Sequence, residues 1–351
     1  MRILVATDSM GAMSSLQAGE VIASGWESAA EVSILPIGDA GAGFTTAYAD
    51  LAGIELSTRV TDGGIVTTGH ETGIALVQVV GSDSGTGIPY EESSRPVGEA
   101  IAAALADDPQ QVLVDLAGLR VHDAGAGMLV ALGAVADRPL DRGVAGLSGL
   151  RHLDLAPVRA LLAKTELVGV VPVAQLDRPL LGLRGITSRA GREASVEPEL
   201  MLSTDRTLQT FAQLAAVTQV DAPGAGACGG LGFAVLALGG RLTAGPAIAF
   251  SSPKAQKGLQ SVDLVVTGCS VYDFASRGGG VVTAVADAAA GALSPCIVIA
   301  GEVVVGSREM RTMGIEAAYA VRESVRDDPR GDVSIDELTA TARRVARSWT
   351  W

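Results

Sequence analysis

Asp221-Ala-Pro-Gly-Ala-Gly-Ala-Cys-Gly-Gly-Leu-Gly232 is a glycine-rich segment that runs directly into an apolar helical pattern, and His122-Asp-Ala-Gly-Ala-Gly-Met128 is built in the same way. A glycine-rich loop that leads into a helix lets backbone N–H groups approach an anion. Neither segment is a P-loop, because neither ends in the Gly-Lys-Ser/Thr sequence that reaches phosphates and magnesium. The two segments therefore predict two glycine loops suited to a phosphate or a carboxylate.

Around these loops, apolar strands alternate with helices at both ends of the chain. Residues 3–6 form a continuous apolar run, the pattern of a parallel strand that is buried on both faces. A parallel sheet of this kind binds its ligands at the carboxyl ends of its strands. The same alternation predicts strands over residues 31–37, 262–267, 295–300 and 315–321, and helices over residues 14–26, 44–51, 279–292 and 335–348.

The middle of the chain has a different pattern. Residues 54–90 are rich in Thr, Gly, Val and Ile and carry turn signals at Asp62-Gly-Gly64 and Asp83-Ser-Gly85, which predict antiparallel strands. Helices are predicted over residues 96–105, 200–217 and 233–238, strands over 112–115 and 167–173, and an acidic surface loop over 323–332. We therefore predict an α/β protein in which a parallel Rossmann-like sheet domain is formed by both chain ends, residues 1–58 and 260–351. Residues 59–259 are predicted to form an inserted mixed α/β domain, with residues 96–135 assignable to either domain.

Composition limits the classes of function. The net charge of −13 argues against binding to nucleic acid or to an anionic membrane surface, because those affinities depend on Lys and Arg. The three cysteines have no CxxC spacing, which fits a reducing cytoplasm and excludes a disulfide scaffold or a zinc ribbon. The apolar stretch 281–300 contains Asp287 and Pro295 and is broken by Gly291, so it lacks the pattern of a membrane span. We predict a cytoplasmic protein.

Polar residues follow several of the predicted strands. Carboxylates at strand ends near glycine loops suit magnesium binding, or a general base for a hydroxyl nucleophile. The alternative is that Asp39, Asp123 and Asp273 cap helices, and for each one taken alone this alternative is favoured. Several such residues at one edge of a sheet favour a site. The polar strand-end residues are Asp8, Ser9, Asp39, Asp115, Asp123, Thr267 and Asp273.

Two further residues leave alternatives open. His122 precedes an aspartate within a glycine loop, and a role in the site and a purely structural role have equal weight. Cys269 follows a strand end, where it is either a reactive thiol or, as we favour, a small buried side chain.

From Asp8 to Asp273 these motifs resemble, in order, those of the bacterial type I, ATP-dependent glycerate kinase family. Asp8-Ser9 is similar to the start of D-S-F-K-G, and residues 36–43 to P-V-A-D-G-G-E-G. Residues 118–133 resemble G-S-A-T-N-D-G-G-A-G-M-L-x-A-L-G, and the segment that begins Pro179-Leu-Leu-Gly182 resembles N-P-L-L-G-x-x-G. Residues 223–232 are similar to P-G-A-G-A-A-G-G-L-G, and residues 262–268 to A-D-L-V-I-T-G-E-G.

The resemblance implies a kinase that uses ATP and Mg²⁺ to phosphorylate a hydroxyl group of glycerate or a related small hydroxy acid, with a homodimer as a candidate assembly. Carried over position by position, it implies Asp8, Asp39 and Asp123 as catalytic residues, with Asp8 and Asp39 also as magnesium ligands. The substrate- or nucleotide-binding residues that it implies are Ser9, Gly41, Gly43, His122, Gly125, Gly127, Gly226, Gly229, Gly230, Thr267, Gly268, Asp273 and Arg277.

Several charged positions of the family are replaced in this chain. The lysine of F-K-G is Gly11, the acid of G-G-E-G is Ala42, and Cys269 stands where an acid follows T-G. The family's D-x-Q-S-L-x-G-K becomes Asp273-Phe-Ala-Ser-Arg-Gly-Gly-Gly280, in which Arg277 is a candidate substitute for a lysine. Phosphoryl transfer depends on cationic stabilisation of developing charge. The alternative prediction is therefore a catalytically impaired family member that binds a ligand or regulates a partner.

Overall fold

The computed structural model describes residues 1–27, 29–41, 43–82, 85–322 and 333–350. Its contacts divide the chain into two compact units, Met1–Gly53 with Gly245–Trp351, and Ile54–Ala244. The sequence placed the corresponding borders after residues 58 and 259. The second border moves because helices over 245–259 pack against helices and a strand of the first unit. Residues 96–135 lie within the second unit.

The first unit begins with a strand–helix–strand–helix order. Ser14 starts the first helix, because its hydroxyl accepts from the Gln17 N–H while the Gln17 side chain accepts from the Ser14 N–H. Trp26 follows that helix and is fully buried. The elements are β1 (Arg2–Val5), α1 (Ser15–Ala23), β2 (Glu31–Ile34) and α2 (Phe44–Ala52).

The second unit is built on a six-stranded mixed sheet. The antiparallel part predicted over residues 54–90 is present, and its first turn lies at Asp62–Gly63; the other predicted turn signal falls partly outside the described residues. Its elements are β3 (Leu56–Thr61), β4 (Gly64–Glu71), β5 (Ile74–Val80), α3 (Arg95–Ala104), β6 (Gln111–Asp115), α4 (Ala126–Ala131), β7 (Val135–Ala136), β8 (Leu153–Asp154), α5 (Ala156–Leu161), β9 (Glu166–Val170), α6 (Ile186–Glu193), α7 (Pro198–Ala216), α8 (Leu231–Ala237) and β10 (Arg241–Thr243). The strand order is β10-β9-β6-β5-β4-β3. The pairs β10-β9, β9-β6 and β6-β5 are parallel, and the pairs β5-β4 and β4-β3 are antiparallel.

The chain then returns to the first unit and completes a five-stranded parallel sheet. The remaining elements are α9 (Gly245–Ser251), α10 (Pro253–Leu259), β11 (Leu264–Asp273), α11 (Gly279–Gly291), β12 (Cys296–Val304), α12 (Ser307–Thr312), β13 (Ala317–Ala320) and α13 (Ile335–Ser348). The order is β13-β12-β11-β1-β2, and all pairs are parallel. The predicted α/β class, with one parallel and one mixed sheet, is confirmed. The loop predicted over 323–332 lies outside the described residues.

Two strands are longer than the sequence predicts. β11 and β12 continue to Asp273 and Val304, which pair with each other. Their outer halves contain polar residues such as Ser270 and Glu302, so the apolar run that marks a buried strand ends too early to show their full length. The outer half of β11 is therefore held in the sheet by its backbone pairing with β12, as far as the polar loop at its carboxyl end.

Candidate functional site

Asp8 lies just beyond the carboxyl end of β1, at the edge of the sheet where the sequence predicts a site. Its backbone N–H donates to the Gly268 carbonyl oxygen at 3.0 Å, which ties it to the neighbouring strand β11. Its Oδ1 accepts from the Ser9 N–H at 2.8 Å and lies 3.4 Å from the Ser9 hydroxyl. The structure thus holds Asp8 and Ser9 together in a fixed turn at the sheet edge.

The loop after β2 brings a second carboxylate and two predicted glycines to the same edge. Asp39 accepts from the Ala40 N–H at 3.0 Å through Oδ1, and its carbonyl oxygen accepts from the Phe44 N–H at 3.0 Å. Gly41 precedes Gly43 in this loop, and a β-carbon at Gly43 would lie 3.5 Å from Asp8 Oδ1. The loop therefore passes directly beside the Asp8 carboxylate.

The two carboxylates influence each other. Burial raises the pKa of Asp8 from 3.8 to about 6, and the nearby Asp39 charge adds to that rise, while the Ser9 hydrogen bonds oppose it. A carboxylate with a pKa near 6 is largely ionised at neutral pH and is a competent proton acceptor. A bound cation would relieve the repulsion between the two groups.

This raised pKa gives a prediction about stability. The folded state binds the Asp8 proton more tightly than the unfolded chain, so the contribution of Asp8 to stability is lost as pH rises from about 4 to about 6. We expect the free energy of unfolding of Asp8→Asn, relative to wild type, to increase across that window by roughly 2 kcal/mol. Urea denaturation at several pH values measures the difference, with exposed Asp62→Asn as the control. A difference that does not change with pH would contradict the raised pKa.

Thr267 and Gly268, predicted as binding residues, lie on β11 beside Asp8. The Thr267 hydroxyl is fully buried and has no hydrogen-bond partner among the described residues. A β-carbon at Gly268 would come within 2.6 Å of both the Thr7 hydroxyl and the Ile299 carbonyl oxygen, so close packing requires glycine there. The neighbouring Cys269 is buried, and its pKa is raised by burial and then by Asp8 and Asp273, which makes the buried-side-chain alternative correct.

Asp273 is the last residue of β11, and Arg277 lies in the loop that follows it. Asp273 Oδ1 accepts from the Ser276 N–H at 2.6 Å and the Ser276 hydroxyl at 2.8 Å, and these bonds lower the pKa of Asp273. The Arg277 N–H donates to the Asp273 carbonyl oxygen, and Arg277 is one of the residues that line a small cavity of about 170 Å³, with Tyr272 and Asp287. The geometry of Asp273 is that of a turn residue that leads into α11.

The second unit contains the other predicted site residues, beginning with Asp123. Asp123 is fully buried, and its carboxylate accepts four hydrogen bonds: from the N–H and hydroxyl of Ser94, and from the N–H groups of Gly125 and Gly127. Burial raises the pKa of Asp123, against the lowering effect of these bonds. The carboxylate thus joins the start of α3 to the start of α4.

His122 is also buried. Its Nε2 lies 2.9 Å from the Thr187 hydroxyl at the start of α6. Burial, and then the charge of Arg120, lowers the pKa of His122 from 6.5 to about 4, so the ring is neutral at physiological pH. A neutral imidazole serves as a hydrogen-bonding group here and not as a cation.

The second glycine loop packs onto the first. Gly229 has φ of +67°, and a β-carbon there would overlap the Val121 carbonyl oxygen; its own carbonyl accepts from the Ala124 N–H at 3.2 Å. Gly226 donates to the Arg178 carbonyl oxygen at 2.9 Å, and Gly230 comes against Ala124. Three chain segments that are distant in sequence therefore meet at these glycines.

A cavity of about 400 Å³ opens where these segments meet, beyond the carboxyl ends of β6 and β9. It is lined by residues 117–121 and 228–229, together with Gln175 and Arg178. Gln175 Oε1 accepts from the Cys228 N–H at 2.9 Å, which fixes the glycine loop against this wall. The sequence prediction missed Arg120 and Arg178. The available signal was that Arg120 lies two residues before the loop that starts at His122, and that Arg178 directly precedes the Pro179-Leu-Leu-Gly182 motif.

The predicted residues thus form two groups, one in each unit. Around Asp8, the first unit gathers Ser9, Asp39 and the loop of Gly41 and Gly43, with Thr267 and Gly268.

Within the described residues, no group of three or more His, Cys, Asp or Glu side chains is placed to hold a metal ion. Any magnesium at Asp8 and Asp39 would therefore take further oxygen ligands from water and from phosphates, as this ion usually does.

Comparison with known proteins identifies the family of the chain. Residues 3–350 match the sequence model of the Glycerate kinase family. An uncharacterized protein of Mycobacterium bovis is 31% identical over 345 residues, covering 92% of this chain and 84% of the relative. The glycerate kinase of Bacillus subtilis is 28% identical over 381 residues, covering 99% of this chain and 97% of the relative.

A solved structure has the same fold. A crystal structure from Salmonella typhimurium LT2, provisionally described as glycerate kinase 2, superposes with a TM-score of 0.80 at 24% identity, covering 99% of this chain and 98% of that one. The family model and the sequence relatives define a glycerate kinase-like phosphotransferase. The chain belongs to the glycerate kinase family, and this membership implies ATP-dependent phosphotransfer. Among the described residues, no helix is both long and apolar enough to cross a bilayer.

Proposed function

We propose that this protein transfers the γ-phosphate of ATP to a hydroxyl group of glycerate or of a related small hydroxy acid. The observation that carries the proposal is the pair of carboxylates, Asp8 and Asp39, at the carboxyl edge of a parallel sheet in a chain that matches the glycerate kinase family over residues 3–350. Phosphoryl transfer requires a group that orients the attacking hydroxyl and groups that hold charge on the phosphates.

Asp8 is the proposed general base. Its pKa of about 6 leaves it ionised at neutral pH yet basic enough to accept a hydroxyl proton. Its Oδ1 is held by the Ser9 N–H, so the carboxylate keeps one orientation while the proton moves. Ser9 is therefore a positioning residue for Asp8.

As an alternative role, Asp8 and Asp39 fit a magnesium ion, which would lower the pKa of Asp8 and make it a weaker base. Oxygen ligands are the ones that magnesium prefers, and one or two carboxylates with substrate phosphates are its usual set. Burial, and then the charge of Asp39, raises the pKa of Asp8, and a cation between the two groups would offset both effects. Magnesium bound there would neutralise charge on the transferred phosphate.

We assign Asp123 a positioning role, in place of the catalytic role that the resemblance implies. Four donors already occupy its carboxylate, and the side chain is fully buried. It would act by fixing the first glycine loop, through Gly125 and Gly127. The glycine loops themselves would hold phosphate or the substrate carboxylate.

The impaired-enzyme alternative rests on the missing charges at Gly11, Ala42, Cys269 and Gly280. The named relatives that span almost the whole chain are kinases, which favours an active enzyme. Binding of Mg-ATP and a hydroxy acid without turnover would be the signature of the alternative. A cytoplasmic location, a homodimer and the absence of nucleic-acid binding stay predictions.

Gly280 offers a direct test of the missing charge. It is the second residue of α11, so the better helix propensity of lysine is offset by the unfavourable position of a cation at a helix N-terminus, and little change in stability is expected. We expect Gly280→Lys to raise kcat/KM at least about tenfold, since a single well-placed electrostatic group is typically worth about 2.7–4 kcal/mol in the transition state. The matched control is Gly291→Lys at the far end of the same helix, where a β-carbon meets no atom within 4 Å. An equal effect of both variants would mean that the gain does not come from charge at the site.

The proposed reaction itself is tested with an assay that couples ADP release to a spectroscopic readout. Purified protein, ATP and Mg²⁺ are mixed in turn with glycerate, lactate, tartronate and malate. The proposal predicts ADP release that depends on at least one of these acids. ADP release at the same rate with no acid present would show hydrolysis instead, and its absence with all four would reject the proposal.

A further inference from the structure

The strands that lead to Asp8 and Asp39 stop pairing directly before they reach these two residues. β1 and β2 are parallel neighbours, and their last paired residues are Val5 and Ile34. One further backbone bond follows, from the Leu35 N–H to the Val5 carbonyl oxygen at 2.9 Å. Beyond it, within the described residues, no backbone bond joins the two strand ends, and the Asp8 N–H donates to β11.

The hydroxyl of Ser15 takes the place of the next backbone bond. Bonds in a parallel pair are evenly spaced, so the next one would join the Ile37 N–H to the Thr7 carbonyl oxygen. Instead, the Ile37 N–H donates to Ser15 Oγ at 2.8 Å, and the same hydroxyl donates to the Thr7 carbonyl oxygen at 2.8 Å. One side chain thus bridges the two strand ends that lead into the carboxylates.

Ser15 is held between the strands by helix α1. The residue is 4% exposed, and it is the first residue of the helix, which Ser14 caps. Four residues further along the same helix face, Gly19 packs against β2, where a β-carbon would lie 2.8 Å from Ile34 Cγ2. Glycine therefore lets α1 come close enough for a short hydroxyl side chain to reach between β1 and β2.

The inserted hydroxyl keeps the strand ends apart. A direct bond would hold the Ile37 nitrogen about 2.9 Å from the Thr7 oxygen, whereas these two atoms are joined here through two successive bonds. Asp8 directly follows Thr7 in the chain. Asp39 follows Ile37 by two residues. The bridge therefore fixes the backbone from which both carboxylates project.

We propose that Ser15 is a positioning residue for the carboxylate pair, with its hydroxyl holding the ends of β1 and β2 at the separation that the reacting groups require. The inference rests on the proposed function for the reaction that Asp8 and Asp39 carry out. Ser15 bonds to backbone groups and acts through the two carboxylates. Without its hydroxyl, the strand ends bond directly and the space between the carboxylates closes.

Steady-state kinetics of Ser15→Ala test the positioning role. We expect kcat to fall by about 10²-fold, because a displacement of roughly 1 Å can cost this much. KM for ATP should stay within about threefold of wild type, since the lost contribution belongs to the transition state. Ser15→Thr keeps a hydroxyl and should retain most of the wild-type kcat. A wild-type kcat in Ser15→Ala would overturn the inference.

Ser294→Ala is the matched control, because it removes a hydroxyl bond at the opposite, amino end of the same sheet. Ser294 Oγ donates to the Val262 carbonyl oxygen at 2.7 Å and joins the segments that lead into β12 and β11. Its kcat should stay within about twofold of wild type, since no reacting group moves. An equal loss of kcat in the Ser294→Ala and Ser15→Ala variants would overturn the inference, because lower stability would then be the cause.

Gly19→Ala is a second variant, which keeps the Ser15 hydroxyl and moves its helix. The added β-carbon meets Ile34 Cγ2, so α1 shifts outward and draws Ser15 from between the strands. Alanine is a better helix former than glycine, which favours a folded variant. We expect kcat to fall by at least about tenfold. A folded Gly19→Ala protein with wild-type kcat would contradict the positioning role.

Crystal structures of wild type and Ser15→Ala give a readout that does not depend on activity. In the variant we expect a direct bond of about 2.9 Å between the Ile37 N–H and the Thr7 carbonyl oxygen, with Asp8 and Asp39 closer together. An unchanged separation, with water in place of the hydroxyl, would overturn the inference.

The outcomes also separate this inference from the proposed function. Closure of the strand ends in Ser15→Ala, in a protein that transfers phosphate to no acid, would keep the structural role of Ser15 and reject the kinase proposal. Phosphate transfer by Ser15→Ala at the wild-type rate would keep the kinase proposal and reject the inference.

Discussion

Asp8→Asn should lower kcat by about 10²–10⁴-fold, the usual contribution of a positioned general acid or base. The amide has nearly the same shape as the carboxylate but cannot accept the hydroxyl proton and is a poor magnesium ligand. The Ser9 N–H can still donate to the amide oxygen, so the turn at the sheet edge is preserved. Steady-state kinetics with saturating ATP and acid measure the change.

The matched control is Asp50→Asn, because Asp50 is an exposed aspartate on α2 of the same unit. Its kcat should stay within about twofold of wild type.

Removal of the buried charge of Asp8 should also stabilise the folded protein at neutral pH. We therefore expect Asp8→Asn to combine a large loss of activity with a gain in thermal stability. An Asp8→Asn enzyme that retains wild-type kcat would show that Asp8 is neither the base nor a metal ligand.

Asp123→Ala should destabilise the protein by about 4 kcal/mol or more, because it leaves several buried donors without an acceptor and each typically costs about 1–3 kcal/mol. The donors are the N–H and hydroxyl of Ser94 and the N–H groups of Gly125 and Gly127. Asp123→Asn should cost less, since its amide oxygen can still accept some of these bonds. Denaturation by guanidinium chloride, fitted to the free energy of unfolding, measures both variants.

Asp107→Ala is the control for this prediction. Asp107 is exposed and lies 3.7 Å from His70 Nδ1, an exposed pair of the kind usually worth about 0–1 kcal/mol. If Asp123→Ala were as stable as Asp107→Ala but inactive, Asp123 would be a catalytic residue and not a positioning one.

Much of the fold could be predicted because local signals and burial agree. Helix α13 spans Ile335–Ser348, as predicted: Ser334 and Glu337 form a capping box, and an apolar face follows. The strands near the chain ends were found by their apolar runs. The outer half of β11 was not found, because its polar residues are paired through the backbone alone and leave no apolar pattern.

The site was predicted less completely, for a physical reason. Asp8 and Asp39 follow apolar strands, so their place at one sheet edge can be worked out from parallel topology. Arg120 and Arg178 line the same cavity because glycines allow three segments that are distant in sequence to pack closely. No local sequence pattern indicates that contact. The environment of His122 likewise depends on Thr187, which is 65 residues away in the chain.

Phosphorus NMR of the reaction products tests the central claim most directly. The protein is incubated with ATP, Mg²⁺ and glycerate or another small hydroxy acid, beside the Asp8→Asn variant. We expect a phosphomonoester of the acid to appear in proportion to ADP, and to be nearly absent with the variant. Release of inorganic phosphate alone, or ester formation at the wild-type rate in Asp8→Asn, would contradict a kinase that acts through Asp8.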